Sequence, residues 1–237
     1  MRLLRAIHYP FRGEKWFKKL LTGAIISVIP LVNIIVEGYA NDVTRQIAEG
    51  REASPPRWGK FGGYFIEGVS QWVSRIFHYG LVLGLLILLW APFLNLPERR
   101  VGTPGSFEER LELLKWGLIS LGLMGCIGLF ILVVAVWMGF YLMASDIRYS
   151  TGEARFGQLF EVKQNVNYFR AHRFKIIGAW IVATVFWGLL TLISSTFVLI
   201  PFPYVGEVLG AIFWLSNGFI IKMFTAHIHG QVAFETL

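Results

Sequence analysis

Residues Gly38 to Gly68, GYANDVTRQIAEGREASPPRWGKFGGYFIEG, form a polar, basic stretch with aromatics at its end, set between two long apolar runs. A chain has this texture where it leaves a membrane, crosses its surface and prepares to re-enter. The flanking runs, Leu20 to Ala40 and Val73 to Leu94, each supply about the 20 mainly apolar residues needed to cross roughly 30 Å of hydrocarbon. Three more runs follow at Trp116 to Ala144, Ile176 to Ile200 and Tyr204 to His227. The expectation is an all-α polytopic bundle of about five spans in a single integral membrane domain, 1–237. Residues 1–19 form an interfacial arm, and 41–72 and 145–175 are surface connectors.

Composition points the same way. Of 237 residues, 55% are hydrophobic and 16% charged, whereas soluble domains carry about 25% charge. Nine Trp, eight Tyr and 20 Phe suit a protein with two interfaces to populate. The net charge of +7 lies between apolar runs rather than on one soluble face, so anionic lipid is the expected partner and nucleic acid is not. The single Cys126 excludes an intramolecular disulfide and leaves a thiolate metal site without a second ligand. The N-terminus, MRLLRAIHYPFRGEKWFKK, lacks the apolar core and cleavage site of a signal peptide and is expected to remain in the mature protein.

Within the first run, Pro30 predicts a kink whose freed carbonyl Ser27 or Asn33 could satisfy. The segment before the second run is amphipathic, with Glu67, Gln71, Ser74 and His78 on one face. The third run is too long for the hydrocarbon and must tilt or protrude. Pro201-Phe202-Pro203 joins the last two runs in a tight antiparallel hairpin. Arg57-Trp58-Gly59-Lys60-Phe61 and Arg155-Phe156-Gly157-Gln158-Leu159 share a pattern of Arg, aromatic, Gly, polar and apolar residues. A duplicated unit of span, connector and surface helix would explain both and put the connectors on one side. Basic residues divide almost evenly across the membrane, and Glu98, Glu108, Glu109 and Glu112 in the opposite loop favour cytoplasmic connectors.

Few residues offer chemistry. Glu37, Glu207 and Lys222 read as interfacial anchors, Lys222 by snorkelling, with a proton or ion relay as the alternative. His78, beside Gly80 and Gly84, is a single possible pigment or haem ligand without a second axial partner. No nucleophile elbow, phosphate loop or zinc motif occurs, so neither catalysis nor a cofactor or metal is expected. Small residues are more informative. Gly80-xxx-Gly84, Gly206-xxx-Gly210, Gly23-xxx-Ser27 and Ala179-xxx-Ala183, with Gly125 and Gly128 in the third run, are helix-packing faces, used inside the bundle or against another subunit.

Tyr9-Pro10-Phe11, Trp16, Lys18-Lys19-Leu20-Leu21, Ile29-Pro30, Glu37-Gly38-Tyr39, Arg45, Gly50, Pro56-x-Trp58, Phe61, Glu67-Gly68 and the ending Ala226-His227-Ile228-His229-Gly230-Gln231 together resemble a family of bacterial and archaeal integral membrane proteins, domain of unknown function 4013. The resemblance implies a polytopic fold and no established activity, so it transfers no catalytic residue.

The expected function is that of a non-catalytic accessory or scaffold subunit in an inner membrane, docking other membrane subunits or itself through a platform of Arg57, Trp58, Phe61, Arg155 and Phe156. The alternative is a permease-like carrier with a site near Ser27, Pro30, Asn33 and Asn217, and a pigment- or haem-binding subunit is a distant third.

Overall fold

A computed structural model describes residues 2–29, 31–51, 54–94, 107–152, 154–196 and 205–235. These residues hold seven α-helices and no sheet: α1 (Leu3–His8), α2 (Trp16–Val28), α3 (Ile34–Ala48), α4 (Phe61–Leu94), α5 (Phe107–Thr151), α6 (Val162–Thr196) and α7 (Val205–Phe234). Among the described residues, three stretches, Phe61–Leu88, Arg110–Thr151 and Val162–Thr196, are long and apolar enough to cross a membrane, which suggests a membrane location.

The first predicted span is two helices. α2 ends at Val28 and α3 begins at Ile34, with Leu31 between them in the left-handed region at φ 68°. At about 20 and 22 Å, neither helix alone crosses the hydrocarbon. Pro30 lies outside the described residues, and Ser27 bonds the Gly23 carbonyl four residues back, 2.7 Å away. The connectors also differ from expectation. Asn41 to Ala48 belong to α3, where Asn41, Val43, Thr44, Ile47 and Ala48 are buried. α5 runs on to Thr151, and α6 starts at Val162, so the second surface helix and the fourth span form one helix bent at His172.

The chain divides into two compact units, one of residues 1–74 and 140–237, the other of residues 75–139. The first is built around α7, which packs against α1, α2, α3 and α6. α3 and α7 run parallel, since Glu37, Thr44 and Ile47 meet Lys222, Ala226 and Gly230 in turn. Small residues permit the approach: a Cβ on Gly230 would lie 2.7 Å from the Thr44 carbonyl oxygen, and Thr44 Oγ1 donates to the Ala226 carbonyl at 3.1 Å. α6 and α7 are antiparallel, with Lys175 opposite Glu235, Phe186 stacked on Phe224 at 4.0 Å and Asn217 reaching Ser194. That arrangement fits the predicted hairpin, although its Pro turn lies outside the described residues. Where α3 crosses α4, Cβ atoms on Gly38 and Gly68 would each lie 1.9 Å from a backbone oxygen of the other helix, Tyr64 and Ile34 respectively.

The second unit holds the remainder of α4 and most of α5. Leu83, Ile87, Leu88, Leu118, Leu129 and Leu132 are exposed there, as suits side chains whose solvent is lipid. α5, at 45 residues, is about 68 Å long, more than the roughly 40–45 Å of a whole bilayer.

Candidate functional site: the paired turns, a basic cleft and an ion pair

Two helix–turn–helix segments in the first unit are each tied by a tyrosine and an arginine. In the first, the Tyr39 hydroxyl on α3 donates to the Pro56 carbonyl at 2.8 Å, and Arg45 pairs with Glu67 of α4 at 3.3 Å. In the second, the Tyr141 hydroxyl on α5 donates to the Leu159 carbonyl at 3.4 Å, and Arg148 pairs with Glu161 at 2.9 Å. Each tyrosine fixes the connector to the incoming helix, and each arginine clamps it to the segment that leaves. The two turns touch: Arg45 Nε donates to the Ser150 carbonyl at 3.1 Å, and Ser150 Oγ meets Asn41 Oδ1 at 2.9 Å. Gln71 Nε2 donates to the same Asn41 oxygen at 2.8 Å. The contacts are alike in kind but not in register with the sequence pattern: Tyr39 reaches the residue before Arg57, whereas Tyr141 reaches the last residue of the Arg155–Leu159 motif.

The platform residues fall differently from expectation. Trp58 is half-buried rather than presented outward: its ring stacks on Tyr39 at 4.0 Å and its indole N–H donates to the Lys19 carbonyl at 3.1 Å. The cause is local, because the Pro55-Pro56 pair holds the connector against α3 and leaves the tryptophan over the Tyr39 ring. Phe61 stacks on Trp58 from the outside at 6.0 Å and stays exposed, as do Arg57, Arg155 and Phe156.

A cleft of about 510 Å³ opens beside Trp58, lined by Glu14, Lys15, Lys18, Lys19, Thr22, Ser54, Arg57 and Trp58. The arm is seated tightly here. Gly13 takes φ 83°, and a Cβ on it would lie 2.7 Å from Ser54 Cβ. Lys15 follows in the left-handed region at φ 60° and starts α2. Lys19 Nζ donates to the Pro55 carbonyl at 2.6 Å. Burial, and then the neighbouring Arg57 charge, lowers the Lys19 pKa below its ordinary value.

On α7, Lys222 points at α3. Its Nζ lies 2.7 Å from Glu37 Oε1 and 3.1 Å from Asn33 Oδ1, so two anchors expected at separate span ends form one pair between helices. Asn33 and Glu37 line a cavity of about 110 Å³ with Trp72. Ser27 and Asn217 line a separate one of about 280 Å³ with Trp187, Thr191, Trp214, Gly218 and Ile221. The residues grouped for a carrier site are therefore divided between two cavities. Asn217 is 4% exposed; its amide donates to the Leu190 carbonyl at 3.2 Å, and its Oδ1 accepts no bond from the described residues.

The packing glycines also sort unexpectedly. Among the described residues, a Cβ on Gly80, Gly84, Gly125 or Gly128 would meet nothing within 4 Å, while Gly23, Gly38, Gly68 and Gly230 make the close approaches. Of the predicted faces, Gly23 makes such an approach, against the Phe219 ring, and Ala179 is buried in the core. Gly206 is buried and Gly210 half-buried. His78 is buried, with Phe77 at 5.7 Å, and no group of three metal-ligating side chains occurs among the described residues. Sequence reasoning missed the Asn41–Gln71–Ser150 network and the Ala226-xxx-Gly230 face; the latter was visible as a small-residue repeat at helical spacing.

No curated protein and no solved structure matches the chain. A family model described as "Protein of unknown function (DUF4013)" matches residues 22–200, which include α3, both paired turns and the three long apolar helices. With more than half of its length so matched, the chain belongs to the DUF4013 family.

Proposed function

We propose that this protein is a non-catalytic scaffold of a bacterial or archaeal inner membrane, crossing it on its long apolar helices and docking other membrane subunits or a second copy of itself. One observation carries the reading: the glycine faces of the second unit, at Gly80, Gly84, Gly125 and Gly128, make no close approach to the described residues. Small residues in apolar helices let a partner backbone come close, where van der Waals packing replaces the missing hydrophobic drive. The first unit, by contrast, is internally cross-linked by the paired turns, as suits a rigid base. The protein's solvent on this reading is a bilayer with anionic lipids, which the basic arm and connectors favour.

Purification from the native membrane in mild detergent tests the proposal. A stoichiometric membrane partner or a homo-oligomer is expected, lost on Gly84→Leu with Gly128→Leu while insertion persists. A monodisperse monomer from the native membrane would refute it.

A second reading, a carrier of a small solute, is favoured by the cavity at Ser27 and Asn217 with its buried, unengaged amide oxygen. It requires uptake into proteoliposomes that Asn217→Leu abolishes. Uptake unaffected by that change would remove the cavity from consideration.

A further inference from the structure

We propose that the cleft between the N-terminal arm and the first connector is a binding site for a phosphate-bearing anion, the headgroup of an acidic phospholipid or a soluble phosphate ester. The site is concave and its walls are fixed. α2 forms one side, with Lys15, Lys18, Lys19 and Thr22, and the connector forms the other, with Ser54, Arg57 and Trp58. The Trp58 indole bond to the Lys19 carbonyl and the Lys19 amine bond to the Pro55 carbonyl close the two sides together.

Among the described residues, four cationic side chains face this space against one carboxylate, Glu14. Among the described residues, Lys15, Lys18 and Arg57 have no carboxylate within ion-pair distance. Like charges that outnumber their counter-charge repel one another, and Lys19 registers this in the Arg57 contribution, second to burial, to its lowered pKa. An anion relieves the repulsion. Phosphate is the best match, because arginine binds its oxygens in a bidentate fork, lysines supply point charge, and the Ser54 and Thr22 hydroxyls can donate to the oxygens that remain.

Beside the cleft, Phe11, Trp16, Phe17 and Phe61 are exposed, with Phe11 and Trp16 in an edge contact at 5.6 Å. Aromatic rings beside basic side chains are the side-chain pairing of a lipid headgroup layer. This favours the lipid source, and that choice alone rests on the membrane reading above.

Native mass spectra of the full chain in neutral detergent test the site, with phosphatidylglycerol, phosphatidylcholine or glycerol phosphate added. A phosphatidylglycerol adduct is expected, weakened about 100-fold in K15Q/K18Q/R57Q on the scale of polybasic lipid binding. It should return in the charge-retaining K15R/K18R/R57K. Displacement by glycerol phosphate assigns the site to soluble esters, and failure of displacement assigns it to lipid. Equal retention by the wild type and the glutamine variant, or a phosphatidylcholine adduct as strong as that of phosphatidylglycerol, would overturn the proposal. Carbonate extraction of the wild type reads membrane insertion separately, so failure of the membrane reading and failure of the cleft remain distinguishable.

Discussion

Replacing Gly38 by alanine should damage this protein far more than the same change at Gly80. A Cβ on Gly38 would sit 1.9 Å from the Tyr64 backbone oxygen, against an ordinary contact that begins at 3.4 Å. The obstacle is main chain, so α4 must retreat by about 1.5 Å or α3 must bend. Retreat stretches the bonds across the crossing: Gln71 to Asn41 at 2.8 Å, Tyr64 to Asp42 at 3.0 Å and Arg45 to Glu67 at 3.3 Å. Overpacking costs about 1–3 kcal/mol, and each weakened hydrogen bond adds about 1 kcal/mol. Against these, alanine gains about 1 kcal/mol in helix propensity, so a net loss of about 3–5 kcal/mol is expected for Gly38→Ala, and a similar loss for its counterpart, Gly68→Ala. Gly80→Ala meets nothing within 4 Å and should be neutral or stabilising by up to about 1 kcal/mol through helix propensity. Equilibrium unfolding of the three variants in one detergent, followed by far-UV circular dichroism, measures the differences. Equal stability of Gly38→Ala and the wild type would refute the crossing, and equal loss at Gly80 would refute the assignment of its open face.

Other features make separate predictions. Trp58→Ala should cost about 3 kcal/mol, because truncating a large packed aromatic costs about 3–5 and this ring is only half-buried; wild-type thermal stability would argue for the outward platform instead. Lys222→Met and Glu37→Gln should each destabilise, and the double variant should lose less than their sum, since single changes strand a charge that the pair neutralises. A double-mutant cycle reads that coupling, and strict additivity would deny the pair. Binding of a phosphate ester should raise the lowered Lys19 pKa, because an anion favours the ammonium form; NMR of reductively methylated lysines would show it as a shift to higher titration pH. An unmoved Lys19 in the loaded protein would place the anion elsewhere.

The all-helical character of the chain and its long apolar segments are legible in composition and run length, because hydropathy measures solvent preference directly. α3 was harder to read. Its NDVTRQ segment reads as water-exposed by polarity, yet Asn41 and Thr44 are buried because Gln71, Ser150 and the Ala226 carbonyl supply their partners. Those partners lie on other helices, so no local pattern announces them. The same limit explains Lys222 and Glu37, which are 185 residues apart and acquire meaning only when α3 and α7 lie side by side. Glycine spacing identifies faces able to pack, but a neighbour's backbone decides which are filled, as Gly38 and Gly80 illustrate. In the basic cleft the lysines of the arm were visible in sequence, whereas their meeting with Arg57 depends on the Gly13 turn.

The parallel seating of α3 on α7 also sets an order of events. Thr44 and the Ala226 carbonyl that receives its hydroxyl are 182 residues apart, so the core of the first unit cannot close until α7 has been synthesised. Until α7 arrives, α2 and α3 wait with their packing faces uncovered, a state in which long-range architectures are open to proteolysis and misassembly. Inspection by cellular quality control is therefore built into the topology: a ribosome that stalls before α7 releases a protein whose first unit has not closed.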